Sequence, residues 1–233
     1  MNLPVIIVAF VLSGALAIFG VEANIPIVQI IFKPVCTALL FLIVGLPRTR
    51  YTKLVAAGIF FSLVGDVALL SNSNLFFIIG LAGFLIAHVA YSVGFFMKAV
   101  WSPRMLAFIA VVGAATTFLV VTVAPGAQGL LLPVILYGTA ISTMVVGAFS
   151  CIGGKLPIAG VAAAGAVLFY ISDSSLAINR FYVPIPHVAY LTLGVYWLGQ
   201  LGIALTGRAE AGYAPFNANS AGAAPTSVLT PHA

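Results

Sequence analysis

An all-α bundle of transmembrane helices is the fold class this sequence predicts, and three observations predict it. First, 63% of the residues are hydrophobic and only 6% are charged, at a mean hydropathy of +1.22. Soluble domains carry roughly 25% charged residues. Second, the apolar residues fall into eight runs, each near the ~20 residues a helix needs to cross a hydrocarbon core of about 30 Å. Third, clusters of Gly, Pro and polar residues punctuate the gaps at 22–26, 47–50, 71–74, 102–103, 125–126, 153–157 and 183–186. The chain reads as a polytopic membrane protein, a single eight-helix bundle over residues 1–206 followed by a tail over 207–233. That tail is rich in Ala, Pro, Gly, Ser, Thr and Asn without an apolar period, so disorder is expected there.

Taken in order, the spans cover about 4–20, 27–45, 53–70, 75–97, 104–123, 130–150, 157–178 and 185–206. No Lys or Arg precedes the first, so the positive n-region of a signal peptide is missing and the segment reads as a retained helix. Arg48, Arg50, Lys53, Lys98, Arg104, Lys155 and Arg208 share the side of the N-terminus, and only Arg180 stands opposite. The positive-inside rule then puts both termini in the cytoplasm, and the expected location is a bacterial-type inner (cell) membrane. The net charge of +5 is scattered among the loops, so no nucleic acid partner is expected. Cys36 and Cys151 imply neither a disulfide framework nor a metal spacing.

The polar residues inside the spans carry the functional reading. An ionisable side chain at bilayer depth is costly and is a functional-site candidate by default. At 1.5 Å per residue, Asp66 lies about 6 Å in from the outer end of span three, and Asp173 about 7.5 Å in from that of span seven. Span two offers Gln29, Lys33 and Thr37 as a polar stripe one turn apart. Gly58, Ser62 and Gly65 on span three, with Gly80, Gly83 and Ala87 on span four, let helices approach closely and turn Asp66 inward. The polar side chains around the aspartates, Lys33, Arg180, Asn179, His88, Tyr91, His187 and Tyr190, are the candidate substrate-binding set. His88 lies near midplane, too deep to join His187 and Asp66 in the three-ligand geometry a metal requires, so no metal is expected. A short repeat aligns residues 64–69 with 171–176, four spans apart and in the same direction, which suggests two parallel four-helix halves.

With these residues assembled, the chain resembles the YhhN-type lysoplasmalogenase family of eight-span membrane proteins. The matching pieces are Lys33-Pro34, FFSLVGDVALL (60–70), FLIAHVAY (84–91) and YISDSSLAINRF (170–181). The resemblance implies a hydrolase that cleaves the vinyl-ether bond of lysoplasmalogens, with a lysophospholipid substrate, no cofactor, and Asp66 and Asp173 as the catalytic pair. Vinyl-ether hydrolysis begins with proton transfer to carbon, and water captures the resulting oxocarbenium ion. One carboxyl must hold a proton while the other stabilises the cation or activates water, as in a glycosidase. Arg180 is nearer Asp173 along the chain and would keep it ionised, which favours Asp66 as the acid; a Lys33–Asp66 contact would reverse the assignment.

Two other classes compete. A small-solute or lipid transporter needs a polar path continuing to the inner side, where the polar residues thin out to His88, Ser142, Thr143 and Gln200. A non-catalytic lipid-binding protein needs closed Asp66–Lys33 and Asp173–Arg180 pairs with no cavity between them. The sequence sets no oligomeric state.

Overall fold

The computed structural model describes residues 2–71 and 73–213, and every regular element among them is helical. The α-helices are α1 (Leu3–Glu22), α2 (Pro26–Val44), α3 (Arg50–Ala68), α4 (Asn74–Phe96), α5 (Arg104–Ala127), α6 (Leu131–Ser150), α7 (Ala159–Phe181) and α8 (Tyr196–Glu210). By length and composition, six helical segments can each cross a bilayer, with α5, a short 3-10 turn and α6 counted as one stretch of 47 residues. This is an integral, multi-pass membrane protein.

Local chemistry fixes the helix starts. Pro4 and Pro26 stand in the first turns of α1 and α2, where no intrahelical N–H is needed. Thr49 opens α3 in a reciprocal box with Thr52, the two backbone N–H groups donating to the two hydroxyls at 2.9 and 3.1 Å. Ser73 accepts from the Phe76 N–H at the head of α4.

Packing follows the small residues. α1 pairs with α2, α3 with α4 and α7 with α8; α4 also packs on α6, as α2 packs on α8. The α7–α8 seam depends on Gly165 and Gly199. A Cβ on either would stand 2.7 Å from the other's carbonyl oxygen. Gly165→Ala is therefore expected to destabilise the protein by about 1–3 kcal/mol, the usual cost of overpacking. Gly160→Ala, which meets open space on the same helix, should leave the melting temperature in detergent unchanged. Equal melts for the two variants would rule out the close approach. α5 is the outlier, with only Met105, Val123 and Ala127 buried and Leu106, Val111, Phe118 and Val121 facing outward.

The last span departs from expectation. Residues 182–188 are turn and loop, with His187 at φ +51°, and the chain re-enters as a π-helical segment, Tyr190–Val195, that leads into α8. π-helical turns cluster at functional sites, and this one forms part of a cavity wall. At the other end α8 continues to Glu210, beyond the expected limit of 206. Tyr213 then lies under the guanidinium groups of Arg48 and Arg208, at 5.3 and 5.2 Å. The rest of the expected tail, 214–233, lies outside the described residues.

Candidate active site

A cavity of about 440 Å³ opens at the end of the bundle opposite the N-terminus. Its wall draws on the end of α1, the start of α2, the end of α3, the start of α4, the end of α7 and residues 188–196. Asp66 and Asp173 both line it, together with Gln29, Lys33, Asn179 and Arg180. Depth measured from the helix ends is less even than expected. Asp66 is two residues from the end of α3, whereas Asp173 is eight from the end of α7, because that helix runs on to Phe181.

Asp66 is 1% exposed and strongly held. Lys33 Nζ, itself buried, lies 3.8 Å from Oδ1. Thr37 donates to Oδ2 at 2.5 Å and the Tyr196 hydroxyl donates to the same oxygen at 2.8 Å. The helical spacing of Lys33 and Thr37 presents both to one carboxylate, so the polar stripe of α2 finds its partner here. A second layer fixes the donors. Trp197 Nε1 donates to Thr37 at 3.0 Å, while Gln200 Nε2 donates to Ser62 at 2.7 Å and to the Tyr196 oxygen at 3.3 Å. A cation and two hydroxyls suit an ionised carboxylate, since charge-assisted hydrogen bonds are the strong ones.

Asp173 has different company. The Tyr137 hydroxyl of α6 donates to Oδ2, and His88 Nε2 lies 3.5 Å from the same oxygen. His88 is fully buried, and neither of its ring nitrogens has a hydrogen-bond partner among the described residues. Its ring stands edge-on to Tyr137 and Phe169, with centroids 5.0 and 4.6 Å away. Phe169 in turn packs on Tyr196 at 5.0 Å, so an aromatic wall joins the surroundings of the two carboxylates.

Several expectations are corrected. No Arg180–Asp173 pair forms: Arg180 Nη2 donates to Asn74 Oδ1 at 2.9 Å and the guanidinium lies 5.0 Å over Phe77, at the cavity mouth. The basis for Asp66 as the acid is therefore gone, and the Lys33–Asp66 contact that would reverse the assignment is present. Tyr91 does not line the cavity. It is 1% exposed and donates to Gln200 Oε1 at 2.7 Å, supporting the second layer around Asp66. His187 and Tyr190 also lie off the cavity wall. The left-handed turn at His187 directs its Nδ1 to Glu22 Oε2 at 2.5 Å, and Tyr190 is 58% exposed. Asn179 lines the cavity, but its Oδ1 accepts from the Ile185 N–H at 2.8 Å, so its carbonyl shapes the turn after α7. Of the two closed pairs a purely structural protein requires, only Asp66–Lys33 exists.

Tyr137 and Tyr196 were missed by sequence reasoning. The available signal was a tyrosine inside an apolar span, whose hydroxyl needs a polar partner once buried.

Comparison with known proteins adds to this geometry. The lysoplasmalogenase TMEM86B of Homo sapiens is 30% identical over 166 residues, covering 71% of this chain and 68% of its own length. Its Rattus norvegicus counterpart is 29% identical over 174 residues, covering 75% and 70%. The lysoplasmalogenase TMEM86A of Homo sapiens is 28% identical over 157 residues, covering 64% and 62%. No solved structure matches the chain at a significant level. The model of the YhhN family matches residues 28–207, from the first turn of α2 to the last turn of α8. Because that stretch takes in every cavity-lining residue except Val21, site and scaffold alike place the chain in the YhhN family.

Proposed function

We propose that the protein is a lysoplasmalogenase-like hydrolase that splits the vinyl-ether bond of a single-chain lysophospholipid by two-aspartate acid–base catalysis. The observation that carries this reading is a pair of carboxylates on one cavity with unlike surroundings. Asp66, matched by an ammonium and two hydroxyls, serves as the ionised partner. Asp173, with a tyrosine hydroxyl and an imidazole and no cation in contact, serves as the acid. Its proton goes to the alkenyl carbon remote from oxygen, and the positive charge develops on the C–O unit. Asp66 and the Phe84 ring on the cavity wall stabilise that cation. Water adds to the oxygen-bearing carbon and gives up a proton to the Asp173 carboxylate, which restores the acid. The hemiacetal then parts into a fatty aldehyde and a glycerophospho alcohol, with the proton ending on the glycerol oxygen. The curated lysoplasmalogenases named above support the substrate class.

The eight-span reading belongs to the same proposal. Gln128 at φ +39° breaks the long α5–α6 stretch, and α5 and α6 pack against each other, which a straight helix cannot do. The π-helical segment adds six residues to the 15 of α8, bringing the last element to spanning length. The two halves share a pattern of contacts. Asp66 receives Thr37 from α2 and Tyr196 from the α8 end, and Asp173 meets Tyr137 from α6 and His88 from α4. With the termini cytoplasmic, as the basic residues favour, the cavity opens toward the outer leaflet of a cell membrane.

The direct test is aldehyde release from a lysoplasmalogen by the purified protein in detergent; its absence sinks the reading. Arg180→Ala refines it. If the guanidinium at the mouth grips the phosphate, KM should rise more than kcat falls, by about tenfold or more. A vinyl ether lacking phosphate should be indifferent to the change. Equal losses on both substrates would assign Arg180 to packing through Asn74 and Phe77 instead.

A further inference from the structure

Beyond Asp173 the polar cavity meets a narrow apolar slot of about 50 Å³ between α4, α5, α6 and α7. Leu119, Val134, Ala177 and Phe181 form its walls, and Phe77, Asp173 and Leu176 are shared with the polar cavity. At its far side Val120 is shared with a broad groove of about 620 Å³ along α5 and α6, whose wall includes the outward-facing Val121 and Ile135. Polar cavity, Asp173, apolar slot and lipid-facing groove thus follow one another in that order.

We propose that this slot holds the first carbons of the substrate's alkenyl chain and passes the rest to the groove between α5 and α6. The inference rests on the lysoplasmalogenase reading and deepens it. In such a substrate the C=C–O unit is the joint between a polar glycerophospho part and an apolar chain. Asp173 occupies the equivalent joint in the protein. Headgroup in the polar cavity and chain in the slot bring the double bond to its carboxyl. At about 50 Å³ the slot is less than twice the ~30 Å³ that one water occupies in the liquid, so it admits one extended chain and excludes two side by side. That makes the protein selective for single-chain lipids. It also gives the aldehyde a route straight into the bilayer while the polar product leaves by the mouth.

Gly138 controls the passage. A Cβ there would stand 3.2 Å from Thr116 Cγ2 and 3.7 Å from Val120 Cγ2, so any larger side chain fills the junction of slot and groove.

The test compares wild type, Gly138→Ala, Gly138→Leu and Val134→Trp on 1-alkenyl glycerophosphocholines with chains from four to eighteen carbons. Val134→Trp blocks the slot from a different helix position and guards against misfolding of Gly138→Leu. Thermal melts select folded variants. The expected result is a graded shift of the chain-length optimum toward short chains. The long-to-short ratio of kcat/KM should fall at least tenfold in Gly138→Leu and less in Gly138→Ala. An unchanged ratio in the folded variants overturns the slot assignment while leaving the hydrolase reading intact. If wild type releases no aldehyde from any chain length, that reading fails separately. Competition by saturated single-chain lysophosphocholines against a fluorescent lysolipid then decides the slot. Chain-length dependence lost on blocking supports the slot as a chain site, and dependence unchanged on blocking overturns it.

Discussion

Asp173→Asn is expected to lower kcat for vinyl-ether cleavage by 10²–10⁴-fold, about 3–5 kcal/mol of barrier, the range of positioned acid–base catalysis. The substitution changes little else. An asparagine oxygen still accepts from the Tyr137 hydroxyl, and the cavity wall keeps its shape. KM should stay within a few-fold, because Lys33, Asn179 and Arg180, the cavity-lining side chains proposed to meet the headgroup, are untouched. The melting temperature should fall little or rise slightly, since a buried carboxyl becomes a neutral amide. The measurement is aldehyde release under saturating substrate, on protein shown to be monodisperse by gel filtration. Full activity in this variant would remove Asp173 from the chemistry. A fall in kcat matched by a collapse in stability would instead make it a packing residue.

Much of this site was legible in the sequence because depth and helical period constrain a membrane helix strongly. Asp66, Asp173, Lys33 and Thr37 could be placed from 1.5 Å per residue and a turn every 3.6, and they do converge on one cavity or one carboxylate. The errors came where the chain leaves regular helix. By spacing alone His187 and Tyr190 begin a span that enters beside the aspartates. The turn at 182–188 and the π-helical segment rotate both away, His187 to Glu22 and Tyr190 outward. Proximity along one helix pairs Arg180 with Asp173, yet the available partners, Asn74 and Phe77, lie across the gap on α4.

Other features depend on which helices are neighbours, which periodicity does not encode. His88 reaches Asp173 because α4 packs on α6 while Tyr137 and Phe169 flank the imidazole. In the sequence Gln200 is one of a few polar residues toward the inner side, but it sits in a buried network with Tyr91, Ser62 and Tyr196 that reaches Asp66. A network of this kind can be read from sequence only as an unexplained polar residue in each of several spans.

The second large effect is expected at the Lys33–Asp66 pair, where stability and catalysis should separate. Both side chains are almost fully buried, and removing one partner of such a pair typically costs about 3–5 kcal/mol, because the other charge is left without compensation. Lys33→Met should fall toward the lower end, since Thr37 and Tyr196 still donate to the carboxylate. Asp66→Asn should fall higher, because it leaves the ammonium with no counter-charge in contact. The double variant, Lys33→Met with Asp66→Asn, removes both charges. It should be more stable than the sum of the single losses predicts, by about 0.5–3 kcal/mol of coupling. Activity should show no such recovery. Asp66→Asn and the double variant are expected to lose at least about 10²-fold in kcat, since neither retains a carboxylate to meet the developing cation. Denaturation and aldehyde release on the same four proteins measure both quantities. Recovery of stability without recovery of activity is the outcome that makes Asp66 a participant in the reaction. Recovery of both together would reduce the pair to a structural clamp between α2 and α3, and the two-carboxylate mechanism would fall with it.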